Sequence, residues 1–167
     1  MSGRQLFVMR HGKAEVGTAG QRDHDRPLAT RGLLNAADQA RIFPPAPGDA
    51  MLVSDAVRTR QTADALFSTW RDLGHEEAHL PLRTTTSSGY LASANQWMDL
   101  IAMESGHPRL WVVGHNPGIS QLVMDLTGDY IGMTTADIVS ISLDIADWPD
   151  IAAGSGRVVH HRTGRGV

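Results

Sequence analysis

Three apolar runs stand out along the chain: QLFVM (5–9), AMLVS (50–54) and RLWVVG (109–114). None of them alternates. A strand covered on both faces has no solvent side to keep polar, so these runs read as buried parallel strands. A fourth run, DIVSISLD (137–144), does alternate and predicts an edge or half-exposed strand. Between the runs the apolar period changes to that of a helix. Ala63, Leu66, Phe67 and Trp70 fall at i, i+3, i+4 and i+7; so do Ala94, Trp97, Met98 and Ile101, and again Ile119, Leu122, Val123 and Leu126. Leu33, Ala36, Ala37 and Ala40 form a weaker set. Each set predicts a helix with one apolar face. Ser93 followed three residues later by Gln96 predicts a capping box, and Pro117 suits a helix start. PPAPGD (44–49) is a loop by its prolines. The end of the chain, AAGSGRVVHHRTGRGV (152–167), predicts a short β-rich run and then a frayed basic tail.

Strands that alternate with helices predict a three-layer α/β/α sandwich around a mostly parallel sheet. With 167 residues and no internal repeat, the expectation is one domain over 1–167. Composition narrows the function. The formal charge of −3 argues against a general nucleic-acid binder, which is usually basic. The absence of cysteine excludes disulfides, thiolate zinc sites and a cysteine nucleophile. No run approaches the roughly 18 apolar residues of a membrane span, and the apolar run near the N-terminus is short for a signal peptide. The expectation is a soluble cytoplasmic protein, a monomer or weak dimer.

In parallel sheets, ligands bind beyond the carboxyl ends of the strands. Arg10 and His11 come after the first run. Ser54, Asp55 and then Arg58 come after the second, and GHNPG (114–118), with His115 and Asn116, after the third. One sheet edge therefore collects two arginines and two histidines. Two guanidiniums suit a dianionic phosphoryl group, which each can bind bidentately. A helix N-terminus adds attraction for an anion. A neutral, oriented imidazole can attack phosphorus, and a second can donate to an oxygen as charge develops. Gly12 would let backbone approach the bound group, and Asn116, beside His115, is a further candidate for binding the phosphate. With neither a P-loop sequence nor an acidic metal-binding cluster, the residues predict phosphoryl transfer without metal or cofactor.

RHG after the first strand, SDAVRTRQTA (54–63) after the second and GHNPG after the third together resemble the histidine phosphatase superfamily, whose members are phosphoglycerate-mutase-like. The resemblance runs from about residue 5 to 145. It implies that His11 is the nucleophile that becomes phosphorylated, that Arg10 and Arg58 hold the phosphoryl oxygens, and that His115 completes the pocket. DRPLATRG (25–32) narrows the resemblance to SixA-type phosphohistidine phosphatases, in which Arg26 would also reach the phosphate.

Two departures from the superfamily pattern matter. Many relatives carry proline where this chain has Asp55; the acid is expected to point away from the pocket and help start the helix. Mutases and general phosphomonoesterases of the family place a glutamate after the second helix. The matching stretch RTTTSSGYLASANQW (83–97) has no carboxylate. An alkoxide leaving group needs a proton donor, which contributes ~10²–10⁴-fold. Imidazole leaves far more readily. Only about 55 residues separate Arg58 from His115, so little or no cap domain is expected. Both points favour a phosphohistidine-bearing protein as substrate. A phosphatase or mutase for small phosphate esters is the second reading. A non-catalytic phosphoprotein-binding module is the third.

Other residues have simpler readings. Arg26 could merely pair with Asp23 or Asp25, and Arg60 reads as an exposed helix arginine. His160 and His161, adjacent on a strand, would face opposite sides and could not share one ion. His24, His75, His79 and His107 lack metal spacing. Trp70 and Trp97 belong to apolar helix faces, and RTGRGV (162–167) reads as solvated charge.

Overall fold

The computed structural model describes residues 3–164. The chain order is β1 (Arg4–Arg10), α1 (Thr30–Ile42), β2 (Ala50–Ser54), α2 (Val57–Asp72), β3 (Leu82–Thr86), α3 (Ala94–Ala102), β4 (Arg109–Gly114), α4 (Gly118–Thr127), β5 (Ile138–Leu143) and β6 (Gly156–Arg162). The six strands form one sheet in the order β3-β2-β4-β1-β5-β6. The first four run parallel, while β5 lies antiparallel to β1 and β6 antiparallel to β5. Among the described residues, no cap domain stands over the sheet.

The three continuous apolar runs form the sheet's centre, and their side chains split between two cores. Leu6, Val8, Leu52, Leu110 and Val112 face α3 and α4, where Trp97, Ile101, Ile119, Leu122, Val123 and Leu126 close the layer. Phe7, Met9, Met51, Val53, Trp111 and Val113 face α1 and α2, against Ala36, Ala40, Ala63, Leu66, Phe67 and Trp70. Each strand residue thus buries its side chain in one core or the other, which is why these runs show no polar alternation. Trp70 satisfies its indole N–H on the carbonyls of Ala40 and Phe43, at 3.1 and 3.0 Å. The Ser93–Gln96 capping box forms at the start of α3.

Three sequence expectations are corrected, and one strand that the pattern does not predict is added. β5 is not an edge strand: it sits between β1 and β6 and is almost wholly buried, Ser140 included. Of its two serines, Ser140 is buried and Ser142 is partly exposed. The true edges are β6 and β3. β3, LRTTT, had too few apolar residues to register as a strand, and it is mostly exposed. In α1 the buried face is Gly32, Asn35, Ala36, Gln39 and Ala40, while Leu33 and Leu34 face solvent. Small and amide residues let this helix pack closely, and Gln39 donates to the carbonyls of Ala136 and Arg162 at 2.8 and 3.0 Å. The basic end is not all solvated charge. Arg162 closes β6 and donates to Gln39 Oε1 at 2.6 Å. The last three residues of the expected tail, 165–167, lie outside the described residues.

Candidate active site

The carboxyl ends of β1, β2 and β4 bring His11, Arg58 and His115 together. The backbone at His11 is locked by its neighbours: its N–H donates to Gly114 O at 3.1 Å and its carbonyl accepts from Ala136 N at 2.9 Å. The imidazole is oriented from its own loop, with Nδ1 at 2.7 Å from Gly12 O. A carbonyl only accepts, so Nδ1 carries the proton and Nε2 presents its lone pair. The donor that meets this lone pair is Arg58 Nε, at 3.4 Å. Burial pushes the His11 pKa down to about 4, and the charges of Arg58, Arg10 and Arg26 add to that against the Gly12 hydrogen bond. The ring is therefore neutral at pH 7, the state in which it is a nucleophile.

The His115 ring centroid lies 5.3 Å from that of His11. Its Nε2 is 2.7 Å from Ser54 Oγ, a contact the sequence does not reveal, and its Nδ1 is buried with no protein partner. Burial pulls its pKa down to about 3, with His11 and Arg58 adding to the shift. Arg10 anchors through Nη1 on Met133 O at 3.1 Å and leaves Nε buried without a partner. Burial lowers its pKa against the pull of Asp137.

Gly12, Asn116 and the helix start behave otherwise than expected. The Gly12 N–H donates to Thr62 Oγ1 at 3.0 Å and is not free for a ligand. A Cβ at Gly12 would lie 2.7 Å from Gly32 O, so the glycine is required where this loop crosses α1. Asn116 spends both ends of its amide: Nδ2 donates to Met133 O at 2.7 Å and Oδ1 accepts from Ser120 Oγ at 2.6 Å. It ties the start of α4 to the loop that anchors Arg10. At that helix start, the N–H groups of Ile119 and Ser120 are already taken by His115 O and Asn116 Oδ1. Gly118 is needed for packing, since a Cβ there would fall 1.8 Å from Ala92 O.

Asp55 also departs from expectation. It does not cap α2, whose N-cap is Ala56 without a side-chain bond. Its Oδ1 lies 2.8 Å from His24 Nε2. Arg26 is at the site, but through Asp23: its Nη1 donates to Asp23 Oδ1 at 3.0 Å. Asp23 is the functional candidate that sequence reasoning passes over. Its Oδ2 accepts from Arg58 Nη2 at 3.0 Å and from Tyr90 O–H at 2.6 Å, and its carbonyl accepts from Arg58 Nη1 at 2.8 Å. These bonds, the one from Tyr90 first, hold its carboxyl well below the usual range against some desolvation. RDHDR (22–26) is a charge-dense turn that runs into Pro27 and Leu28, and only the fold brings it to α2. Arg22, Asp23, His24, Asp55, Ser87 and Tyr90 line a cavity of about 610 Å³ beside the arginines. His160 and His161 diverge as expected, one against Phe43 and the other towards Asp137. Among the described residues, no three His, Asp or Glu side chains group as metal ligands.

Residues 6–80, which carry His11, Arg58 and the RDHDR turn, match the family model of the histidine phosphatase superfamily (branch 1). The match covers 75 of the chain's 167 residues. Solved structures extend the histidine phosphatase likeness in fold to nearly the whole chain. SixA of Nakamurella multipartitia is 24% identical, with a TM-score of 0.80 over 97% of this chain and 96% of its own. The protein histidine phosphatase SixA complexed with tungstate is 22% identical, with a TM-score of 0.75 over 96% and 97%. A mycobacterial glucosyl-3-phosphoglycerate phosphatase is 15% identical, with a TM-score of 0.66 over 94% and 97%. The same fold thus serves enzymes named for a protein substrate and for a small one. No described helix is long and apolar enough to cross a membrane.

Proposed function

We propose that this protein is a metal-independent phosphatase that works through phospho-His11 and removes phosphate from phosphohistidine in a protein. The observation that carries the reading is the state of His11: neutral, fixed through Nδ1, and offering Nε2 beside the Arg58 guanidinium. In this mechanism His11 Nε2 attacks phosphorus in line. Arg10, Arg58 and His115 Nδ1 meet the equatorial oxygens, Arg26 contributes positive charge, and water then cleaves phospho-His11. Gly12 and Asn116 support the loops rather than touch phosphate.

The choice of a P–N over a P–O substrate rests on the proton inventory. Residues 83–97 contain no carboxylate. Among the described residues the carboxylate paired with Arg58 is that of Asp23, which is held ionised and has no proton to give to an alkoxide, while Asp55, lining the same cavity, is engaged with His24 Nε2. The likeness to SixA structures points the same way. The second reading, a phosphatase for small esters, is favoured by the likeness to the glucosyl-3-phosphoglycerate phosphatase. A binding module without turnover would not need an oriented, neutral nucleophile.

The test is hydrolysis of a phosphohistidine peptide against 3-phosphoglycerate and p-nitrophenyl phosphate, with EDTA present and His11→Ala as control. The reading expects EDTA-resistant turnover that prefers the P–N substrate and disappears in His11→Ala. Equal or faster turnover of the esters would refute it.

A further inference from the structure

Asp23 occupies an unexpected place. Its carboxylate lies against Arg58, the residue whose Nε meets the His11 nucleophile, and it is also bonded by Arg26 and Tyr90. The side chain is about half exposed, 48%, towards the cavity rather than sealed in the core. The groups around it are Arg58 from α2, Arg26 on its own turn, Tyr90 from the loop before α3, and the His24–Asp55 pair, with His24 edge-on to Tyr90 at 4.8 Å between ring centroids. Arg22 is occupied by Asp25, at 2.9 Å. A second carboxylate, Asp55, lines the same cavity.

We infer that Asp23 is the residue that selects a protonated N-phosphoryl imidazole over a phosphate ester, by accepting a hydrogen bond from the ring N–H of the substrate once Arg58 and Arg26 turn to the phosphoryl oxygens. This rests on the phosphohistidine reading above. The chemistry requires it to be ionised. A phosphorylated imidazole departs most readily when its other ring nitrogen carries a proton. A carboxylate beside that nitrogen stabilises the cationic ring. The lone pair of His11 Nε2 forms the new P–N bond, and the P–N pair of the substrate returns to the ring nitrogen. The ring then leaves as neutral imidazole, keeping its N–H on Asp23. No proton needs to be supplied. For an ester, the same carboxylate faces a developing alkoxide that it repels and cannot protonate. Asp23 also competes with free phosphate for Arg58 and Arg26, so weak anions are excluded until a cationic group satisfies the carboxylate.

The experiment compares the parent, Asp23→Asn and Asp23→Glu. It measures kcat/KM for a phosphohistidine peptide and for p-nitrophenyl phosphate from pH 6 to 9, and inhibition by inorganic phosphate. For Asp23→Asn the inference expects at least a tenfold loss on the peptide at pH 8 and a smaller loss at pH 6, where solvent protonates the ring. Ester turnover should fall much less than peptide turnover, and phosphate should inhibit more tightly. Asp23→Glu should recover part of the peptide rate. Equal losses on both substrates at every pH would show that Asp23 merely holds Arg58 and would overturn the inference. So would an unchanged peptide preference in Asp23→Asn. A parent that prefers the ester would sink the phosphohistidine reading and this inference together. A parent that prefers the peptide, with an Asp23→Asn variant that keeps the same ratio of peptide to ester turnover, would sink the inference alone.

Discussion

The depressed pKa of His11 gives the sharpest prediction. An ordinary histidine titrates near 6.5, so about 3% would be neutral at pH 5. With the midpoint at about 4, about 90% remains neutral at that pH. The nucleophile should therefore keep nearly its full population two pH units below neutrality. The assay is a ¹⁵N NMR titration of the histidine rings, with His11 assigned from the spectrum of His11→Ala. The expected midpoint is near 4, with the proton on Nδ1 in the neutral form. Arg58→Ala should move it upward, because it removes a cation and admits water to the ring. The same shift sets how stability depends on pH. The folded pKa lies below the unfolded one, so between about pH 6.5 and 4 the unfolded chain binds more protons. Stability is complete above 6.5 and falls as the pH drops through that window, by on the order of 3 kcal/mol from His11 alone. A titration midpoint at 6 or above would refute the reasoning that burial and the arginines hold the ring neutral.

Three more outcomes are expected from the packing and the hydrogen bonds. Gly12→Ala places a methyl 2.7 Å from Gly32 O and should destabilise the fold by about 1–3 kcal/mol, read as a lower midpoint in urea. Ser54→Ala removes the support of His115 Nε2 and should lower kcat about five- to tenfold, with little change in KM in a steady-state assay. Asp49→Ala should cost on the order of 3 kcal/mol, seen by thermal denaturation. Asp49 is buried, and its carboxylate accepts from Arg109 Nε and Nη2 and from Trp111 Nε1, each at 2.9 Å.

Local pattern alone was enough for the central strands, the helices and the positions of His11, Arg58 and His115. Residues 5–9, 50–54 and 109–114 had to be sheltered on both faces, because almost no polar side chain interrupts them. Residues just past the carboxyl end of a parallel strand lie at the ligand-binding edge whatever the loops do, so Arg10, His11 and His115 could be placed there without coordinates. Residues whose partners are distant in the chain could not be read this way. Asp23 meets Tyr90 across 67 residues and Arg58 across 35. His24 meets Asp55 across 31. Ser54 meets His115 across 61. Nothing in the local spacing of RDHDR or GY distinguishes a solvated turn from one laid over a guanidinium. The same limit hid the placing of β5 between β1 and β6, with Ser140 buried, and the use of Gly12, which answers to the Gly32 backbone. Chain order and hydrophobic pattern determined which residues could reach the edge of the sheet. Only the tertiary structure decided which of them are free for a ligand, which are already spent on one another, and that an ionised carboxylate stands beside the arginines.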